Sequence, residues 1–197
     1  MRQDYFVKNI KKSETRNDVY RLEMQIITNN VVKMIEEKLF HPLLNEKMAK
    51  PILDIEKLQF FIKIFTKAGI SNEKIEELTT AIMIMQIALD THDMVTNAGN
   101  DESTLFNRQL IILAGDYYSG LYYQMLANFE NKPLLDKLSE AIKEINEWKI
   151  IAQYEITSIE TLKLAKLKID TLLLMKTCEA LGEVELIQEI ELNFSSR

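Results

Sequence analysis

Apolar residues recur at three- and four-residue intervals almost from end to end of this chain. No stretch alternates with the period of two that a half-buried strand requires. The spacing predicts a first helix from about Asn17 to Phe40, stopped by "HPLL" and its Pro42. Pro51 and Asp54 open a second, which carries "LQFFIKIF" and ends at Gly69. Ser71 can cap a third, with Glu73, Glu76 and Glu77 near its positive end. Ile75, Leu78, Ile82, Met85 and Leu89 form its stripe, and His92 falls on the same face. Between Ala81 and Leu89 only Gln86 is polar, and a helix apolar all round belongs in the middle of a bundle.

The segment "TNAGNDES" breaks the pattern, and Ser103 starts a fourth helix that reaches about Phe129 through "LIILAGDYYSGLYYQMLA". Pro133 suits the first turn of a fifth, which carries the lone Trp148. Ser158 or a neighbour starts a sixth, ending at Gly182, and the amphipathic stretch "EVELIQEIELNF" follows. The expected architecture is one all-α domain over residues 1–197. Its parts are N-terminal helices (1–69), two central helices (70–130) and C-terminal helices (131–197).

Composition agrees with that picture. Five glycines and three prolines in 197 residues are too few for many tight turns. Hydrophobic residues at 47% and charged ones at 27% suit a globular core, one that buries roughly 70% of the unfolded surface at this length. A net charge of −6, with no basic cluster beyond Lys11-Lys12, argues against a nucleic-acid surface. Cys178 is the single cysteine, so neither an intrachain disulfide nor a cysteine metal site is possible. "MRQDYFVKNIKKSE" lacks the apolar core of a signal peptide, and no apolar run approaches ~18 residues, so the expected location is the cytoplasm. The nine methionines are read first as core filler.

The chemistry-bearing residues gather at the end of the third helix, in "QIALDTHDMVTN". A His-Asp pair on a helix can belong to a metal phosphohydrolase, but His41 is the only other histidine and precedes a proline, so that reading lacks ligands. The plain alternative is a His92 hydrogen-bonded inside a bundle.

"ALDTHDMVTNA" resembles the first aspartate-rich segment, H-D-D-x-x-D, of the trans-prenyl diphosphate synthases, and "LAGDYYSGLYY" resembles the G-D-aromatic helix that follows it. In those enzymes the aspartates bind magnesium, which holds an allylic diphosphate. Carboxylates four apart share a helix face and reach metal-bound oxygens together. Aligned on His92, this chain reads Asp93-Met94-Val95-Thr96-Asn97, so one carboxylate of three survives. Each lost carboxylate, ~4 Å from a unit positive charge, removes on the order of 4 kcal/mol at an effective dielectric of 20. The arginine-rich loop of the enzymes is replaced by "NAGNDESTLFNRQ", with Asp101 and Glu102 of the wrong sign and Arg108 alone. No Asp-Asp pair occurs, and "MKTCEALG" (175–182) resembles a segment upstream of the second aspartate motif, as expected of a truncated relative.

Together these features resemble component 1, the small non-catalytic subunit family of the two-component heptaprenyl (hexaprenyl) diphosphate synthases of menaquinone-making bacteria. The likeness is firmest over roughly residues 80–128. It implies a heterodimer in which the large component binds Mg2+ and both diphosphates, while this chain binds no cofactor and helps set product length. His92, Asp93 and Asn97 are then the remnant of a metal motif. Two rivals stay open: an all-α adaptor unconnected with isoprenoids, and a self-sufficient terpenoid enzyme with an atypical site.

Individual residues carry paired readings. Gly115, with Ser119 four residues on, marks close helix packing, either within the chain or across a subunit contact. Asp116 lies in an apolar stretch and needs a partner such as a tyrosine, Arg108 or His92. Tyr117, Tyr118, Tyr122 and Tyr123 suit an interface more than a core. Ile84, Met85 and Ala88, a turn or so before Asp93, line either a chain-length cavity or plain core. The same surface invites a homodimer when the partner is missing.

Overall fold

The computed structural model describes residues 16–95, 102–127, 129–154 and 158–195, and within them every regular element is an α-helix. They are α1 (Arg16–Leu39), α2 (Pro42–Lys47), α3 (Ile55–Lys67), α4 (Asn72–Asp93), α5 (Glu102–Leu126), α6 (Lys132–Tyr154), α7 (Ile159–Leu181) and α8 (Leu186–Phe194). Pro42 does more than stop α1. It occupies the first turn of the short α2, where its missing N–H costs nothing.

Local chemistry sets the other boundaries. Asp54 accepts from the Lys57 N–H at 2.9 Å to cap α3, and Ser158 accepts from the Thr161 N–H at 3.2 Å to cap α7. Asn131 does the same for α6, taking the Leu134 N–H at 3.1 Å. Ser71 stands at the start of α4, but its side chain makes no capping bond. Gly69 and Gly182 follow α3 and α7 at φ of 71° and 78°, the left-handed conformation that ends helices.

α4 is the axis of the bundle. Its Leu78–Leu89 span is entirely buried, as its all-round apolarity requires. It packs against α1, α3 and α5; α3 in turn touches α1 and α7, and the α6–α7 pair is extended by α8. One apolar core runs through these helices, from Ile35 and Phe61 to Ile145 and Phe194. Each fully buried large side chain contributes about 1.5–3 kcal/mol against the ordering entropy.

One polar thread crosses it. Lys57, almost wholly buried on α3, donates to Gln86 Oε1 at 2.9 Å, and Gln86 Nε2 donates to Asp90 Oδ1 at 2.8 Å. Burial, partly countered by the Gln86 bond and by Lys57 and Lys149, raises the Asp90 carboxyl above its ordinary value.

Candidate functional site

The end of α4 delivers the surviving pair of the aspartate motif. One oxygen of the Asp93 carboxylate is engaged within the chain. Lys149, reaching over from α6, places Nζ 2.6 Å from Asp93 Oδ2 and donates to the Leu89 carbonyl at 2.9 Å. Its side chain is only 13% exposed, its stem laid along apolar surface. Nothing in the spacing of "EWKII" singles this lysine out, since it meets Leu89 across 60 residues of chain.

His92 turns the other way, onto α5. A Cβ built on Gly115 would stand 2.5 Å from His92 Cε1 and 2.6 Å from Nε2, so the ring occupies the space that glycine leaves. Of the two readings of Gly115, the structure supplies an in-chain neighbour. Asp116 departs from expectation. It is exposed rather than buried, because its side chain leaves the helix on the outer side, and its oxygen is 3.7 Å from His92 Nε2, too long for a direct hydrogen bond.

The four tyrosines divide by helical angle instead of forming one patch. Tyr118 and Tyr122 are core residues, and burial drives both phenol pKa values up. Tyr117 and Tyr123 face outward, Tyr117 edge-on to His41 with ring centroids 5.8 Å apart. Ser119 is half-buried. α5 packs extensively on α4 and on no other described helix to a similar degree. Its far face therefore shows Leu105, Phe106, Leu113 (64% exposed) and Tyr123 (60%) beside Gly120.

Ile84, Met85 and Ala88 are sealed in the core and line neither of two neighbouring cavities. Those cavities, of about 330 and 310 Å³, open instead beside the segment that follows α2, and only the second reaches α4. Ile35, Leu39 and Leu44 line the first; Ile87, Asp90, Thr91 and Met94 line the second. Met48 to Pro51 and Tyr118 belong to both, so the extended segment after α2 is their shared wall.

The donor set around Asp93 does not suit magnesium. One carboxylate is engaged by an ammonium, Met94 supplies only a soft sulfur, and His92 lies against α5. Asn97 lies outside the described residues. Among the described residues no three His, Cys, Asp or Glu side chains converge on a metal position. Nor is any described helix long and apolar enough to cross a membrane.

The family described as heptaprenyl diphosphate synthase (HEPPP synthase) subunit 1 matches residues 41–195. Heptaprenyl diphosphate synthase component 1 of Geobacillus stearothermophilus is 42% identical over 116 residues, 58% of this chain and 51% of that protein. The chain thus spans about half the length of the curated relative it matches. No solved structure matches. A match over residues 41–195, covering the end of α4, the whole of α5 and the helices beyond them, means that the chain belongs to the heptaprenyl diphosphate synthase subunit 1 family.

Proposed function

We propose that this chain is the non-catalytic subunit of a heterodimeric long-chain, heptaprenyl-type diphosphate synthase. In this reading a cytoplasmic catalytic component binds Mg2+, the allylic diphosphate and isopentenyl diphosphate. The present chain enables elongation and helps set the length of a product destined for the menaquinone side chain.

The observation that carries the reading is α5, a 25-residue helix with one extensive neighbour and an apolar outer face. Exposed large apolar side chains grouped on one helix face mark an interaction surface. Phe106, Leu113, Tyr117, Gly120 and Tyr123 are therefore the interface residues, with the exposed Asp116 among them. The buried Gly115, Tyr118 and Tyr122 support that face from behind. The same surface can pair two copies of the chain when the catalytic component is absent. The engagement of Asp93 by Lys149 supports the division of labour, because a motif held by an in-chain cation cannot grip a metal-bound diphosphate. The two cavities beside the segment after α2 supply the apolar room through which this subunit influences chain length.

The test is incorporation of labelled isopentenyl diphosphate onto farnesyl diphosphate with magnesium. It is run with this chain alone, with a catalytic component alone, and with both. Long-chain product from the mixture only is the expected result. Turnover by this chain alone overturns the non-catalytic assignment, and a mixture no more active than the catalytic component alone overturns the partnership.

A further inference from the structure

The end of α4 is an unfavourable place for a carboxylate. The last carbonyls of a helix lack intrahelical partners and carry the negative end of its dipole, so Asp93 adds charge of the same sign. Such a site calls for a cation. Lys149 supplies it, its ammonium lying between a carbonyl of the closing turns, Leu89 O at 2.9 Å, and the Asp93 carboxylate at 2.6 Å. Asp90, one turn back toward Gln86, lies within the same field. An ammonium has three donors, and two are used in these contacts.

We propose that Lys149 is a tethered counter-cation that takes over, at Asp93, the electrostatic place of a divalent metal. It closes the position to metal and pins α6 to the end of α4. The chemistry favours the exchange. Magnesium keeps most of its waters and is held only weakly by a single carboxylate, whereas a tethered ammonium is satisfied by two or three acceptors. A covalently attached cation is also always present, independent of metal concentration. The anchoring role follows from the packing. The backbones of α4 and α6 make few close approaches, and Lys149 bridges them with a hydrogen bond and an ion pair. This inference concerns the chain's own residues and stands whether or not the proposed partnership holds.

The experiment uses the full-length chain as wild type, Lys149→Met, Asp93→Asn, the double variant and Lys149→Arg. Melting temperatures are recorded with millimolar Mg2+ and with EDTA, and Mn2+ binding is followed by electron paramagnetic resonance. Wild type is expected to melt at the same temperature in both media, and wild type and Asp93→Asn to bind Mn2+ identically. Each single variant lowers Tm by several degrees, the double variant falls no further than the worse single one, and Lys149→Arg recovers part of the loss. A wild-type Mn2+ site that disappears with Asp93→Asn overturns the proposal, as do single losses that simply add. Should Lys149→Met fail to fold, the Mn2+ comparison of wild type with Asp93→Asn decides the question alone.

Discussion

Gly115→Ala makes the His92–α5 contact measurable. In a helix interior alanine is favoured over glycine by about 1 kcal/mol, so without the histidine this change should stabilise. With it, the new methyl stands 2.5–2.8 Å from three ring atoms, against the roughly 3.5–4.0 Å of an ordinary contact. The ring must retreat by about 1 Å and give up its seat on α5. Forced rearrangements of this kind cost about 1–3 kcal/mol. The net expectation for Gly115→Ala is a loss of up to about 2 kcal/mol after the propensity gain is subtracted. In a His92→Ala background the same change should gain about 1 kcal/mol. Urea unfolding of the four proteins gives the coupling as the difference, expected at about 1–3 kcal/mol, or several degrees in Tm for a chain of this size. An equal gain from Gly115→Ala in both backgrounds would refute the argument, because the ring would then move aside at no cost.

Leu113→Asp and Tyr123→Asp, on the outer face of α5, should change stability by no more than about 0.5 kcal/mol while weakening a catalytic component's binding at least about tenfold by calorimetry. Tyr122→Ala, on the inner face, should instead cost about 3–5 kcal/mol in a urea melt. Cys178 is buried, and desolvation, helped by Glu183 and Glu179, pushes its thiol up to about 12. It should resist a disulfide reagent at pH 8 until denaturant is added, and rapid native labelling would contradict its placement. Within α6, the hydrogen bond from Lys137 holds Glu140 below the usual glutamate value, and across to α7 the bond to Glu144 holds Lys176 above the usual lysine value. The Glu140 contribution is complete above about pH 4.3 and is lost as pH falls through its lowered native value. The Lys176 contribution is complete below about pH 10.4 and is lost as pH rises through its raised one. Tm against pH should show both arms, and Lys176→Met should flatten the alkaline one.

The helices were legible because their signals are local. The caps Asp54 and Ser158, the left-handed Gly69 and Gly182, and the all-round apolarity before Leu89 each act within a few residues. The site was legible only where a single helix decides the geometry. The phase of α5 settles which tyrosines are buried, and 100° per residue separates Tyr117 from Tyr118 although both are the same amino acid. The same phase puts Asp116 outside, since a run of apolar letters does not reveal which residue of the run faces out. Its polar neighbour is His92, one of the partners the sequence offers. Lys149 was invisible, because its partner lies on another helix and an isolated lysine in an amphipathic pattern reads as solvent-facing. Of the two readings of Ile84, Met85 and Ala88, their burial fits plain core, and the cavities lie along the Met48–Pro51 segment, where no local pattern announces them.

The Lys57–Gln86 pair has a consequence for alignment. Greasy helices such as α3 and α4 can exchange one leucine or isoleucine contact for another, so apolar packing alone leaves sliding by a turn inexpensive. A shift of one turn, ~5.4 Å, would carry the Lys57 ammonium away from its amide acceptor and into hydrocarbon, where an uncompensated charge costs several kcal/mol. The pair thus works as a register pin. It adds little to the depth of the native well and much to the height of its neighbours, so the bundle that presents α5 settles in one alignment.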